Sequence, residues 1–158
     1  MNFLTKEQAE KWLEQVDCQR SRLTKSGIRF NAPTDSGRKT ALSRLLVKAH
    51  SMSPGLFFVY EFGIWPSCEN MQLFKGYRRS LGEARELFET PGHLFEADDL
   101  DQVEALCCLG LYFFWGIMLV SSDGEKAILV SHDGEGIVFE SDPLRPIYNA
   151  LREFLGNT

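Results

Sequence analysis

Four residues, Glu61, Cys68, His93 and His132, carry the side-chain types from which a small hydrolase is assembled: a carboxylate to orient or exchange protons, a thiol to attack, and imidazoles to serve as base. Glu61 stands in the apolar run FFVYEFGIW, where a carboxylate must be exposed, paired or raised in pKa. Arg78 and Arg79 of the next segment are its expected partners. Cys68 follows Ser67 at the first turn of an expected helix, where the helix dipole favours a thiolate. SHDGE, residues 131–135, brings a hydroxyl, an imidazole and two carboxylates together. Adjacent residues of a strand and turn point in different directions, so this stretch alone makes no nucleophile–base–orienter line. His132 with Glu135 or His93 would supply metal ligands, but sites of this kind draw three or more and the chain has three histidines. No metal or cofactor is expected.

Other motifs carry less chemistry. SGRKT, residues 36–40, resembles the end of a phosphate-binding loop, yet Arg38 intervenes and no glycine stands four residues before Gly37, so a helix start is the better reading. The neighbours Cys107 and Cys108 diverge on a helix and vicinal disulfides are strained, which makes them core filler. Acids are the more distinctive feature. Asp98, Asp99, Asp101 and Glu104 fall within seven residues, with Glu83, Glu86 and Glu89 upstream, and the first four exceed what a helix dipole needs. They form a candidate acidic binding surface.

Charge along the chain points the same way. The net charge of −5 conceals a basic stretch, residues 1–50, with ten Lys/Arg against five Asp/Glu, and an acidic remainder with seven against seventeen. An acidic surface suits a basic protein partner and repels the phosphates of nucleic acid. At 44% hydrophobic and 25% charged, the chain fits one ordinary globular domain, residues 1–158, with a helical part at 1–50 and an α+β core at 55–158. The sixteen-residue apolar run Ala105–Val120 is short of the roughly 20 residues of a membrane span and reads as a buried helix feeding a buried strand. The start lacks the features of an export signal, and with four thiols the expected location is the cytoplasm.

The elements that must position these groups follow from periodicity and punctuation. TKEQ at 5–8 is a capping box opening a helix over about 6–17, and a short extended piece is expected at Ile28–Phe30. Thr34 or Asp35 caps a second helix. LFFVYEFGIW is a strand apolar on both faces, hence central, ending at Trp65 and Pro66 before Ser67 caps a helix with Met71, Phe74, Tyr77 and Leu81 inward. Gly82 stops that helix. GEARELFETPGHLFE reads as a short helix and then a strand at His93–Phe95, and DDLDQVEALCCLGL as a fourth helix. Asp123-Gly124 and Asp133-Gly134 are the turns of a three-stranded antiparallel meander. Ser141 or Asp142 caps a last helix, with Pro143 in its first turn and Leu144, Ile147, Leu151, Phe154 and Leu155 inward. The fold class is α+β: an antiparallel sheet ending in the meander, with about five helices packed on it.

WPSCEN at 65–70, PGHLFE at 91–96 and SHDGE at 131–135 resemble stretches of a family of small bacterial proteins over the last hundred residues. Strands followed by a closing helix in a small acidic chain are similar to bacterial immunity proteins of the Smi1/Knr4 type. The absence of an assembled catalytic constellation and the acidic C-terminal two-thirds lead to the expectation of a non-catalytic protein-binding domain engaging a basic partner through its acidic surface, for which the resemblance suggests an immunity or inhibitor kind. The rival readings are a small hydrolase built on Glu61, Cys68, His93 and His132 gathered at one sheet end, and a structural or oligomeric subunit.

Overall fold

The computed structural model describes residues 1–16, 27–49, 54–62, 68–140 and 146–156. Its elements run β1 (Asn2–Leu4), α1 (Lys6–Gln15), β2 (Ile28–Asn31), α2 (Ser36–Arg44) with a π-helical turn at Leu45–Ala49, β3 (Gly55–Glu61) and α3 (Cys68–Ser80). There follow β4 (Gly92–Phe95), α4 (Leu100–Tyr112), β5 (Gly116–Ser121), β6 (Lys126–Val130), β7 (Glu135–Glu140) and α5 (Pro146–Gly156). Among the described residues the strands form one open, wholly antiparallel sheet in the order β1-β4-β3-β5-β6-β7-β2. The α+β class and the meander are as the sequence predicts.

Local chemistry accounts for the elements. Thr5 accepts the Gln8 amide while the Gln8 side chain accepts from the Thr5 amide, the reciprocal capping box that starts α1. Asp35 accepts the Arg38 amide and starts α2. β3 is central because its residues are buried on both faces. Phe57 and Val59 join Ile117, Leu119, Ile128 and Val138 under α2, α3, α4 and α5, where Leu42, Phe74, Leu106 and Leu151 complete the main core. Leu56 and Phe58 join Met118, Val120 and Ala127 on the opposite face, under α1. A strand residue's parity thus decides which core it enters.

One expectation is corrected, and one strand is added to those expected. The short helix expected within GEARELFET is a set of turns around Glu86–Thr90, because Pro91 and the strand that follows leave too few residues for helical nucleation. β1, three residues long and paired to β4, carries no periodic signal in the sequence. Trp65, Ser67, Ser141, Asp142, Pro143 and Leu144 lie outside the described residues.

Candidate functional site

Sheet register assembles the first candidate site. Glu61, at the end of β3, pairs with Gly116 at the start of β5, and Ile117 pairs with Val130 at the end of β6. His132 is two residues beyond Val130, so strands distant in sequence deliver the two side chains to one end of the sheet. Gly116 permits the close approach: a Cβ there would meet the Tyr60 ring at 2.7 Å and the Glu61 Cβ at 2.8 Å. The Tyr60 hydroxyl donates to the Val130 carbonyl at 3.0 Å and holds the same corner.

His132 Nδ1 lies 2.7 Å from Glu61 Oε2, and its Nε2 lies 3.3 Å from Asp133 Oδ1. The hydrogen bond to Glu61 raises the imidazole pKa, partial desolvation opposes it, and Asp133 adds to the rise. Both nitrogens therefore face carboxylates, an arrangement that holds a proton rather than one that accepts a nucleophile's. Glu61 pairs with His132 and not with Arg78, because Arg78 points into the protein and is used elsewhere.

That other use defines the second candidate region, the loop between α3 and β4. Arg78 is 1% exposed, and its guanidinium donates to the Thr90 carbonyl at 2.7 Å, the Thr90 hydroxyl at 2.6 Å and the Arg85 carbonyl at 3.2 Å. Burial lowers its pKa to about 10 with Glu83 opposing, so it stays cationic at neutral pH. Gly82 takes a φ of +92° after α3, with the Glu83 amide donating to the Arg78 carbonyl and the Gly82 amide to the Arg79 carbonyl, a Schellman stop. Glu83 is 4% exposed and is chelated by the Arg85 side chain and amide. Burial pushes the Glu83 pKa up, and the Arg85 hydrogen bonds outweigh it to bring the pKa below the usual range. Lys75 pairs with Glu86, whose amide donates to Glu89 Oε2 at 2.8 Å.

His93 lies beneath this loop and not beside His132. It is fully buried on β4, edge-on to the rings of Phe3, Phe57 and Phe74. Nδ1 is 3.2 Å from the Pro91 carbonyl, which can only accept, so Nδ1 carries the proton and Nε2 is left buried without a partner. Burial, with the Arg78 charge second, drives its pKa down to about 3. A neutral imidazole locked among rings cannot join Glu61 and His132. The Cys68 side chain lies outside the described ones, so of the four residues expected at one sheet end the structure joins two and separates His93.

The acidic residues differ in exposure and in their partners. Glu83, Glu86, Asp99 and Glu104 each meet a cation: Arg85, Lys75, the Met1 amino group at 3.0 Å and Arg44 at 3.2 Å. Asp98, Asp101 and Glu89 are exposed, and Asp101 adds to the burial that raises the phenol pKa of Tyr77 on α3. Cys107 is buried, which pushes its thiol pKa up, and Cys108 is half-buried beside the Thr40 hydroxyl; neither is disulfide-bonded. Among the described residues no three His, Cys, Asp or Glu converge as metal ligands, and no helix is long and apolar enough to cross a membrane.

The residue that sequence reasoning missed is Phe88. It is 68% exposed at the tip of the pinned loop, beside Leu87, which is buried. The available signal was the pair Leu87-Phe88 inside a tight turn, where only one of two adjacent apolar side chains can face inward. No protein-family model, no curated protein and no solved structure matches the chain.

Proposed function

We propose that the chain is a non-catalytic protein-binding domain whose contact surface centres on the 81–91 loop and on the exposed acids Glu89, Asp98 and Asp101. The observation that carries this reading is Phe88: among the described residues it is the most exposed of the large apolar side chains, and it stands on a loop fastened from below by a buried arginine. Fixing a loop in advance lowers the entropy lost on binding, and an exposed aromatic on such a loop is the usual anchor of a protein interface. Glu89, Asp98 and Asp101 supply negative charge that steers a basic partner. An immunity or inhibitor type of action, in which the domain covers a basic surface of its partner, is the form of this reading that the sequence resemblance suggests.

Affinity capture from the native host identifies the partner, and titration of that purified partner tests the surface. Phe88→Ala is expected to weaken binding by at least about 2 kcal/mol, or roughly thirtyfold, with the melting temperature unchanged. Charge reversal at Asp98 and Asp101 is expected to slow association and flatten its salt dependence. A partner indifferent to both sets of changes contradicts the reading.

A hydrolase reading draws on a specific observation of its own, the 2.7 Å Glu61–His132 pair at a half-exposed sheet end. It requires hydrolysis of a test ester at a rate that falls by at least about a hundredfold in His132→Gln.

A further inference from the structure

Lys39, on the face of α2 that packs against α4, is 4% exposed. Among the described residues its ammonium makes no hydrogen bond and no ion pair; it lies 3.8 Å from the Phe114 ring centroid and 5.6 Å from that of Tyr112. The acid one helical turn earlier, Asp35, is engaged by the Arg38 amide. Buried ammonium groups are ordinarily paired, because removing the charge from water is costly. Desolvation accordingly lowers the Lys39 pKa, against smaller opposing effects of Tyr112 and Cys108. The side chain is buried, but Nζ is not among the fully enclosed polar atoms, so its donors, unused by the described residues, can be reached beside the two rings.

The rings above it are unusual in their own right. α4 ends with the Trp115 amide donating to the Gly110 carbonyl at 3.0 Å, a stop whose left-handed position is ordinarily glycine. Here that position is Phe114, with a φ of +54° and a ring 44% exposed. A bulky residue held in this conformation marks a place where the ring's position matters. Tyr112 is half-exposed, and its hydroxyl accepts from Ser36 at 3.3 Å, which leaves the phenol proton to donate outward.

We propose that Lys39, Tyr112 and Phe114 form a binding site for an organic carboxylate carried on a flat apolar body. The carboxylate accepts from Lys39 Nζ and from the Tyr112 hydroxyl, replacing the missing counter-charge with a charge-assisted hydrogen bond. The flat body lies against the exposed parts of the Tyr112 and Phe114 rings. This site is separate from the Phe88 surface and stands whether or not that surface binds a protein.

Benzoate is the probe. Titrated into the whole chain and followed by NMR of the lysine side chains, it is expected to shift the Lys39 signal saturably, more than those of the other six lysines, and to raise the Lys39 pKa. Acetate, which lacks the ring, is expected to bind about tenfold more weakly. Tyr112→Phe is expected to weaken benzoate about three- to tenfold, and Lys39→Met to abolish the response. Should Lys39→Met fail to fold, protection of Lys39 from acetic anhydride by benzoate gives the same test on the unaltered chain. Absence of any Lys39 response or protection, equal affinity for acetate and benzoate, or tighter binding of inorganic phosphate than of benzoate would each overturn the proposal.

Discussion

His93, on β4, and His132, in the turn between β6 and β7, meet opposite fates. His93, under the 81–91 loop, is dry, ringed by phenylalanines and pushed down to a pKa of about 3. His132, at the far corner, is half-exposed between two carboxylates and its pKa is raised. Residue type is the same, so environment decides the chemistry: desolvation makes one imidazole a structural wedge, and adjacent carboxylates strengthen the other's hold on a proton. The two regions differ in how firmly they are built. The loop is tied by buried and part-buried hydrogen bonds to Arg78 and Glu83, whereas the sheet corner has the Tyr60–Val130 hydrogen bond and a Glu61–His132 pair open to solvent, which water and salt weaken.

Arg78→Met breaks this contrast most severely. It keeps most of the volume but strands the Thr90 and Arg85 carbonyls and the Thr90 hydroxyl, and is expected to cost about 3–5 kcal/mol in chemical denaturation. Glu61→Gln at the open corner is expected to stay within the scatter of ordinary surface substitutions. Equal losses for the two would erase the distinction.

Acid titration gives the next effect. The unfolded His93 takes up a proton near pH 6.5 and the folded one only near pH 3, so stability is full above pH 6.5 and declines as pH falls through that window. The His93 contribution lost by pH 4 is expected to be about 3 kcal/mol. His93→Phe, which suits the surrounding rings, is expected to flatten the decline, as read from urea midpoints between pH 7 and pH 4. An unchanged slope in that variant would place the acid sensitivity elsewhere.

The smallest effect has the opposite sign. His132 has a raised folded pKa, so its contribution is complete below about pH 6.5 and is lost as pH rises through the folded value. Glu61→Gln is expected to remove that alkaline decline and to return the imidazole pKa, measured by NMR, toward 6.5. An imidazole pKa that does not move in the variant would mean that Glu61 is not what holds the proton.

Much of the fold was legible because its signals are local. The Thr5–Gln8 capping box, the Asp35 cap, the Gly82 stop and the two Asp-Gly turns each depend on a few neighbouring residues, and each lies where the sequence places it. The candidate sites were less legible because they depend on tertiary placement. Glu61 was assigned to an arginine close in sequence, while its partner arrives through the β3-β5-β6 pairing from 71 residues away. Nothing in RRS at 78–80 distinguishes the fully buried Arg78 from the exposed Arg79 except the helical phase of Phe74, one turn earlier. Phe88 was hidden for the converse reason: an apolar residue next to another is ordinarily read as core.

The central claim is that the 81–91 loop is fixed in place before any partner arrives, with Phe88 outward. Native-state hydrogen exchange of its backbone amides tests this most directly, because the Glu83 amide donates to the Arg78 carbonyl and the Thr90 amide to the Glu86 carbonyl. The account predicts that both amides exchange only through openings nearly as costly as global unfolding, and that Phe88→Ala leaves this protection intact. Exchange of both at the rate of an unstructured peptide would show that the loop is not preorganised and would contradict the account.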